Sequence, residues 1–493
     1  MQKFNGKTEN LLTGRLLELP STYIHDHILY PQFQYEVQHL LEYYITIEKV
    51  MAIEYERLGM LTPEALQTVL QALDQIDQDS LVADPGENMT DILFAIERHV
   101  NRHVPERIAA WHLDRSRNDV QATAQLMLAR DRLLDLIADL YILAERMQPL
   151  ATEHAYTQMP GYTHYQSAQL ISVGFYLAGM SEQIMQVAER LYQHWQSLDE
   201  CPLGSGAMAG LELPWDRQRM AQMLGFEKCC RHALTGVASK DFMLLIGAEL
   251  SNASVTFSRF MTDFMHWGSS EYRFFDLPDH LSSISSAMPQ KKNFTILERI
   301  RGKFAHIPAY YIDIVMGQQR TPYTNMVETA KEGGSGFATL INTMSMALQL
   351  LTYVLPHMKF NVEHMRERCK AEFFGGFSLA NQLTLMFAIP YRTAQILAGQ
   401  YITRMIEQHR MPDDIDVDYL QHLCTAAGYT VMISPAMLKQ CFSAAEALFA
   451  KRSAGSTHPE EVLQLLSLQQ KERSLQWQKL NIAKERSQTY LFC

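Results

Sequence analysis

Apolar residues recur at three- and four-residue intervals over unusually long stretches of this chain. Between residues 119 and 150 they fall at Leu126, Leu133, Leu134, Ile137, Leu140, Tyr141, Ala144 and Met147. Between 167 and 198 they fall at Leu170, Val173, Leu177, Met180, Ile184, Val187, Leu191 and Trp195. Such spacing keeps one face of an α-helix apolar for many turns. Residues 240–267, 293–318 and 335–356 are also long and apolar-rich, and the period-two alternation of strands is nearly absent. Helices of this length predict a bundle. Apolar faces too broad for one neighbour predict association between chains, with a large monomeric bundle as the alternative.

Before residue 112 short helical patterns alternate with polar breaks. Thr62-Pro63-Glu64 reads as a helix start, Asp84-Pro85-Gly86-Glu87 as a turn and residues 88–103 as a helix. After residue 360 the helices shorten, with breaks at Gly375-Gly376 and Pro390. The pattern divides the chain into an N-terminal helical domain (1–112), a central long-helix domain (113–362), a small C-terminal helical domain (363–454) and a polar, charge-mixed tail (455–493) expected to be a loosely attached helix.

Composition narrows this picture. Gly (24) and Pro (18) are sparse for 493 residues, which favours long elements over many turns. The formal net charge of −11, with no long Lys/Arg run, disfavours nucleic acid and anionic membrane as partners. An anionic substrate would need a few local cations in a pocket. The seven cysteines (Cys201, Cys229, Cys230, Cys369, Cys424, Cys441 and Cys493) form no C-x-x-C pair, so reduced cytosolic thiols are the expectation. The first residues, MQKFNGKTENLL, have no apolar core of a signal peptide, and no run reaches 18 uninterrupted apolar residues. The expected location is cytoplasmic.

Four short segments carry candidate chemistry. The first, Ser282-Ser283-Ile284-Ser285-Ser286-Ala287-Met288-Pro289-Gln290-Lys291-Lys292-Asn293, begins as a hydroxyl-rich loop and runs into a long helix expected over 294–315. Hydroxyls, two lysines and a helix N-terminus suit an anion, although a capped surface turn with solvated lysines has the same pattern. In Gly161-Tyr162-Thr163-His164-Tyr165-Gln166, Thr163 is placed to cap the following helix and His164 to serve as acid or base; a structural histidine near a helix start reads alike. Ser116-Arg117-Asn118-Asp119 supplies donors for a carboxylate, or simply an N-cap. Pro202-Leu203-Gly204-Ser205-Gly206-Ala207-Met208-Ala209-Gly210 suits a tight loop with close backbone approach, or a plain connection. No strand pattern precedes it, which argues against a dinucleotide or P-loop site.

Together these segments resemble the argininosuccinate lyase branch of the fumarase/aspartase superfamily. The superfamily loop close to GSSxMPxKxN appears here as ISSAMPQKKN, and the branch motifs SRND, GYTH and PLGSGALAG appear as SRND, GYTH and PLGSGAMAG. Leu213-Pro214-Trp215-Asp216-Arg217 and residues 388–399 agree as well, and the resemblance runs in order from about residue 15 to 410. It implies an all-α fold of three domains, a homotetramer whose central helices form one bundle, and active sites built from three chains. It implies no metal and no organic cofactor. The implied reaction is β-elimination of fumarate from an N-substituted aspartate, argininosuccinate (giving arginine) being the leading substrate. By matched positions Ser285 is the base, with His164 as runner-up. His164 and Glu298 form a relay that protonates the leaving amine, and Lys291 binds the carboxylate. Asn293, Ser116, Arg117, Asn118 and Thr163 are expected around the substrate, with Tyr323, Glu328 and Lys331 toward the amine.

Departures from the branch cluster near the expected amine pocket. Alignment on Glu97-Arg98 puts Leu93 where a histidine is usual, with Asp91 two residues earlier. The pattern Tyr, Gln, Lys becomes Tyr323, Glu328 and Lys331, and Lys240 stands where arginine is common. Ile284 replaces a loop glycine, and Phe294 replaces a proline. A different aspartate adduct, used in either direction, is therefore a second expectation. A catalytically silent structural homologue is a third, disfavoured by the retained Ser285, Lys291, His164 and Glu298. Adenylosuccinate lyase is disfavoured by SRND and PLGSGAMAG.

Overall fold

The computed structural model of the chain describes residues 15, 18–104 and 108–488; the N-terminal stretch and Cys493 lie outside them. Five long helices form the body: α1 (Arg117–Glu153), α2 (Val173–Ser197), α3 (Asp241–Trp267), α4 (Thr295–Gln318) and α5 (Ser335–Val354). Each runs nearly the length predicted from periodicity. α1 has 37 residues, hence a length of about 55 Å at 1.5 Å per residue. It presents Leu133, Leu134, Ile137, Leu140, Tyr141, Ala144 and Met147 inward, none more than 1% exposed. The helices alternate in direction, each packing on its predecessor or on α1, and share one apolar core with the helices at residues 41–103. A second, smaller core is built around Leu379, Leu383, Leu397, Tyr401, Leu438 and Phe442.

The polar tail behaves differently from the expectation. Helix α6 (Pro459–Gln488) lies against α1 and α2 and buries Val462, Leu466, Leu480 and Ala483. Arg486 and the buried Arg130 both pair with Asp199, and Arg473 reaches Gln148. Apolar positions wide apart among many charged residues disguise this face in the sequence.

Strand structure is also richer than expected near the motif GYTH. Residues Gln158–Thr163 (β1) and Gln166–Ser172 (β2) form an antiparallel hairpin, with His164 and Tyr165 as its two-residue turn. Both turn residues have positive φ, at 54° and 60°, as a tight hairpin of this handedness requires. The helix thus begins at Val173, not near 167. Its cap is Ser172, whose hydroxyl accepts from Phe175 N–H at 3.0 Å, so Thr163 ends a strand and caps no helix. Likewise Asp84 caps a short helix, Pro85–Asn88, and Asp91 caps Ile92–His103.

One stretch, Glu328–His357, is long and apolar enough to cross a membrane by length and composition alone. Leu340, Ile341, Met344, Leu348 and Leu351 along it are buried in the bundle, as in the core helix of a globular chain.

Candidate active site

Ser116 caps α1, its hydroxyl accepting from Asn118 N–H at 3.2 Å. Asn118 donates its side-chain amide to the Ala207 carbonyl at 3.1 Å, which joins SRND to the glycine loop. Asp119 makes the stronger link. It is 1% exposed, and its Oδ2 accepts from Gly204 N–H at 2.9 Å and Gly206 N–H at 3.0 Å. Burial pushes its carboxyl up to about 6, against the opposing pull of these N–H donors and of Arg115. Both glycines have positive φ, and a Cβ on Gly206 would meet the Gly210 carbonyl at 2.5 Å. Arg217 closes the other side of the loop, donating to the Leu203 carbonyl and Ser205 Oγ, each at 3.1 Å. Arg117 turns outward to Asp91 at 2.6 Å. Before Ser116, the buried Arg115 pairs with Glu48.

Tyr323, Glu328 and Lys331 lie at this same end, because Gln125 in α1 donates to the Ala330 carbonyl at 2.8 Å. Glu328 and Lys331 belong to a five-residue π-helical turn, Glu328–Glu332, a local irregularity frequent at functional sites. Tyr323 and Glu328 are exposed, while Lys331 is largely enclosed and pairs with Glu36. Burial lowers the Lys331 ammonium to about 8. Glu36 was not visible as a partner in the sequence, since it lies almost three hundred positions away on another element. Leu93 is 3% exposed and belongs to the core.

The remaining residues gather at the far end of α1. His154 caps that end and stacks edge-on against Phe360 at 4.9 Å. Phe360 pairs in a short ladder with Phe275, which stacks on Phe294 at 5.9 Å. The β1–β2 hairpin lies against the same wall, with Tyr162 and Tyr272 rings 5.5 Å apart. Thr163 and His164 are exposed at its tip.

The hydroxyl loop is itself a hairpin, in which Ser283 and Ile284 pair with Asn293 and Lys292. The lysines lie in this hairpin just before α4, which starts at Thr295, one residue from the expected start at 294. Ser285 Oγ accepts from Met288 N–H at 3.0 Å and Ala287 N–H at 3.4 Å. Asn293 donates to the Ile284 carbonyl at 3.4 Å, and Lys292 is held by Asp276 and Asp279 at 3.1 and 3.2 Å. Lys291 lines an open cavity of about 780 Å³ with Arg273, Lys359 and Asn361. Glu298 is exposed in the first turn of α4. Among the described residues neither His164 nor Glu298 has a hydrogen-bond or ion-pair partner, so the expected relay is not closed within one chain. Among the described residues no cluster of three or more His, Cys, Asp or Glu is placed to hold a metal ion.

The residues expected at the site therefore fall into two groups at opposite ends of a helix about 55 Å long. A long-helix bundle with Ser116 and Asn118 at one end and a serine, a histidine and lysines at the other has the layout of a lyase of the fumarase/aspartase type. A family described as Lyase matches residues 30–309. Argininosuccinate lyase 1 of Shouchella clausii (strain KSM-K16) is 28% identical over 469 residues, covering 94% of this chain and 93% of its own. Argininosuccinate lyase of Syntrophus aciditrophicus (strain SB) is 31% identical over 363 residues, covering 72% of this chain and 75% of its own. In fold the chain is similar to an EDDS lyase variant with bound fumarate, with a TM-score of 0.82 at 24% identity, over 96% of this chain and 94% of that one. The chain belongs to the argininosuccinate lyase branch of the fumarase/aspartase superfamily. It is a carbon–nitrogen lyase of the kind that releases fumarate.

Proposed function

We propose that this lyase cleaves argininosuccinate to arginine and fumarate, and that its active site is completed between antiparallel copies of the chain in a homotetramer. The observation that carries the reading is the separation of the half-sites: Ser116, Asn118, Tyr323 and Lys331 at one end, Thr163, His164, Ser285, Lys291 and Glu298 at the other. No bend of one chain closes a gap set by a 37-residue helix, whereas an antiparallel neighbour does so directly. Uncovered apolar side chains on the long helices, including Leu245, Val255, Ile312, Met316, Met346 and Tyr353, support such association.

In the reaction a proton leaves the carbon next to a carboxylate. Its electron pair forms the new double bond, and the C–N bond breaks. Ser285 takes the proton. The N–H groups of Ala287 and Met288 that point at its oxygen favour the negative charge a serine base needs. Lys291, Asn293, Ser116, Asn118 and Thr163 spread the charge that develops on the carboxylate. His164, oriented by Glu298 once the copies meet, gives a proton to the departing nitrogen. Arg117 holds Asp91 at the rim. No organic cofactor takes part in these steps.

A second reading keeps the chemistry and changes the amine. Glu328 is exposed and, among the described residues, its carboxylate has no partner, so it favours a more cationic leaving group than a glutamine would. A diamine adduct of aspartate, whose amine carries a second cation for Glu328 to meet, is the alternative to try.

Fumarate absorbance with argininosuccinate, with Ser285→Ala as control, tests the proposal. Release that the substitution abolishes supports it. No release from argininosuccinate, with release from another N-substituted aspartate, transfers the assignment to the second reading.

A further inference from the structure

Lys240 is 3% exposed, and among the described residues its ammonium has no hydrogen-bond or ion-pair partner. It immediately precedes α3 and lines a cavity of about 390 Å³ with Tyr311, Gln318, Thr321, Tyr323 and Thr329. That volume falls in the range of small-molecule sites. Asp241 also borders the cavity without forming an ion pair with Lys240. A buried cation without a counter-charge is costly unless an anion completes it.

We propose that the Lys240 cavity is a carboxylate subsite, and that it takes a carboxylate carried by the leaving amine. The assignment rests on the proposed function above, which commits Ser116, Asn118, Thr163 and Lys291 to the fumarate half. Lys240 reaches the site beside Tyr323 and Thr329, the latter directly following Glu328. Glu328 and Lys240 then complement an amine that bears both a cation and a carboxylate, an amino acid in chemical class. The Tyr323 hydroxyl and the Gln318 amide line the cavity as further donors for a carboxylate, whereas the Thr321 and Thr329 hydroxyls already donate to the Gln318 and Met326 carbonyls, at 2.7 and 3.0 Å. Burial alone draws the Lys240 ammonium down to about 8, which still leaves it mostly charged at neutral pH.

The test is isothermal titration of the full-length enzyme with matched pairs, an amino acid against the amine it gives on decarboxylation: l-arginine against agmatine, and l-lysine against cadaverine. At least one amino acid should bind tenfold or more tightly than its amine. Lys240→Met should erase that difference without weakening the amine, and Lys240→Arg should restore part of it. Because Lys240→Met removes an unpaired buried charge at similar length, it should fold and melt higher than the parent in the absence of ligand. Equal binding within every pair, or equal weakening of both members in Lys240→Met, would overturn the subsite. Fumarate release on the same preparation keeps the two ideas apart. Release without discrimination sinks the subsite and leaves the reaction standing, and discrimination without release does the reverse.

Discussion

Asp119→Ala is the substitution whose outcome follows most directly from the geometry. Two N–H groups, Gly204 and Gly206, converge on one buried carboxylate oxygen. Truncation strands both, at about 1–3 kcal/mol each, while the neighbouring chain keeps them from water. The same change relieves a cost. A carboxyl raised from 3.8 to about 6 is about 3 kcal/mol less favourable in its ionised form at neutral pH than it would be in water. The two contributions oppose each other and are similar in size, so global unfolding should move little. The loop should not escape so lightly. In the parent, opening the loop gives up both hydrogen bonds, whereas in Asp119→Ala it returns two stranded donors to water, and about 3 kcal/mol corresponds to roughly a hundredfold more frequent opening. Hydrogen exchange followed by mass spectrometry on peptides covering residues 202–210 reads this directly. Protection there should collapse while α2 and α3 keep theirs. Fumarate release should fall at least tenfold, since Asn118 is anchored to the same loop through Ala207. Asp119→Asn, which keeps an acceptor oxygen, should retain most of the protection. Loop exchange in Asp119→Ala indistinguishable from the parent would refute the claim that Asp119 holds the loop.

Three further outcomes are expected. Gly206→Ala should impair folding and turnover more than Gly204→Ala, because its Cβ would meet a carbonyl at 2.5 Å whereas the other meets the movable Arg217 side chain at 2.7 Å; expression yield and urea midpoints compare them. The native protein holds the Asp119 proton between pH of about 4 and 6, so this group favours the fold below that window and loses its contribution as pH climbs through 6; the advantage of Asp119→Asn over the parent in unfolding free energy should therefore grow by about 2 kcal/mol from pH 4 to 7, read by denaturant titration. Ending the chain at residue 458 should yield aggregated protein, because it uncovers the α1 and α2 surfaces under Val462, Leu466 and Leu480 and removes Arg486 from Asp199, which size-exclusion chromatography would report.

Length and spacing in the sequence were enough to determine the five bundle helices, since a period that persists for twenty or more residues has few other interpretations. The motifs likewise determined the branch, because each holds a local geometry that travels with the residues: a cap at Ser116, paired glycines at 204 and 206, a hairpin at 283–293. What the tertiary structure decided depends on residues far apart in the chain. The β1–β2 hairpin hides where the helical pattern reads as continuous, because its burial does not alternate along the strands and Tyr162 packs on the distant Tyr272. The tail helix gains its place from Asp199 and Gln148, its buried positions being too sparse to announce a face. The separation of the expected site residues into two groups follows from helix direction, and the isolation of Lys240 from which carboxylates failed to come near it. Both are properties of packing in three dimensions, where charge and distance act between segments that the linear order keeps apart.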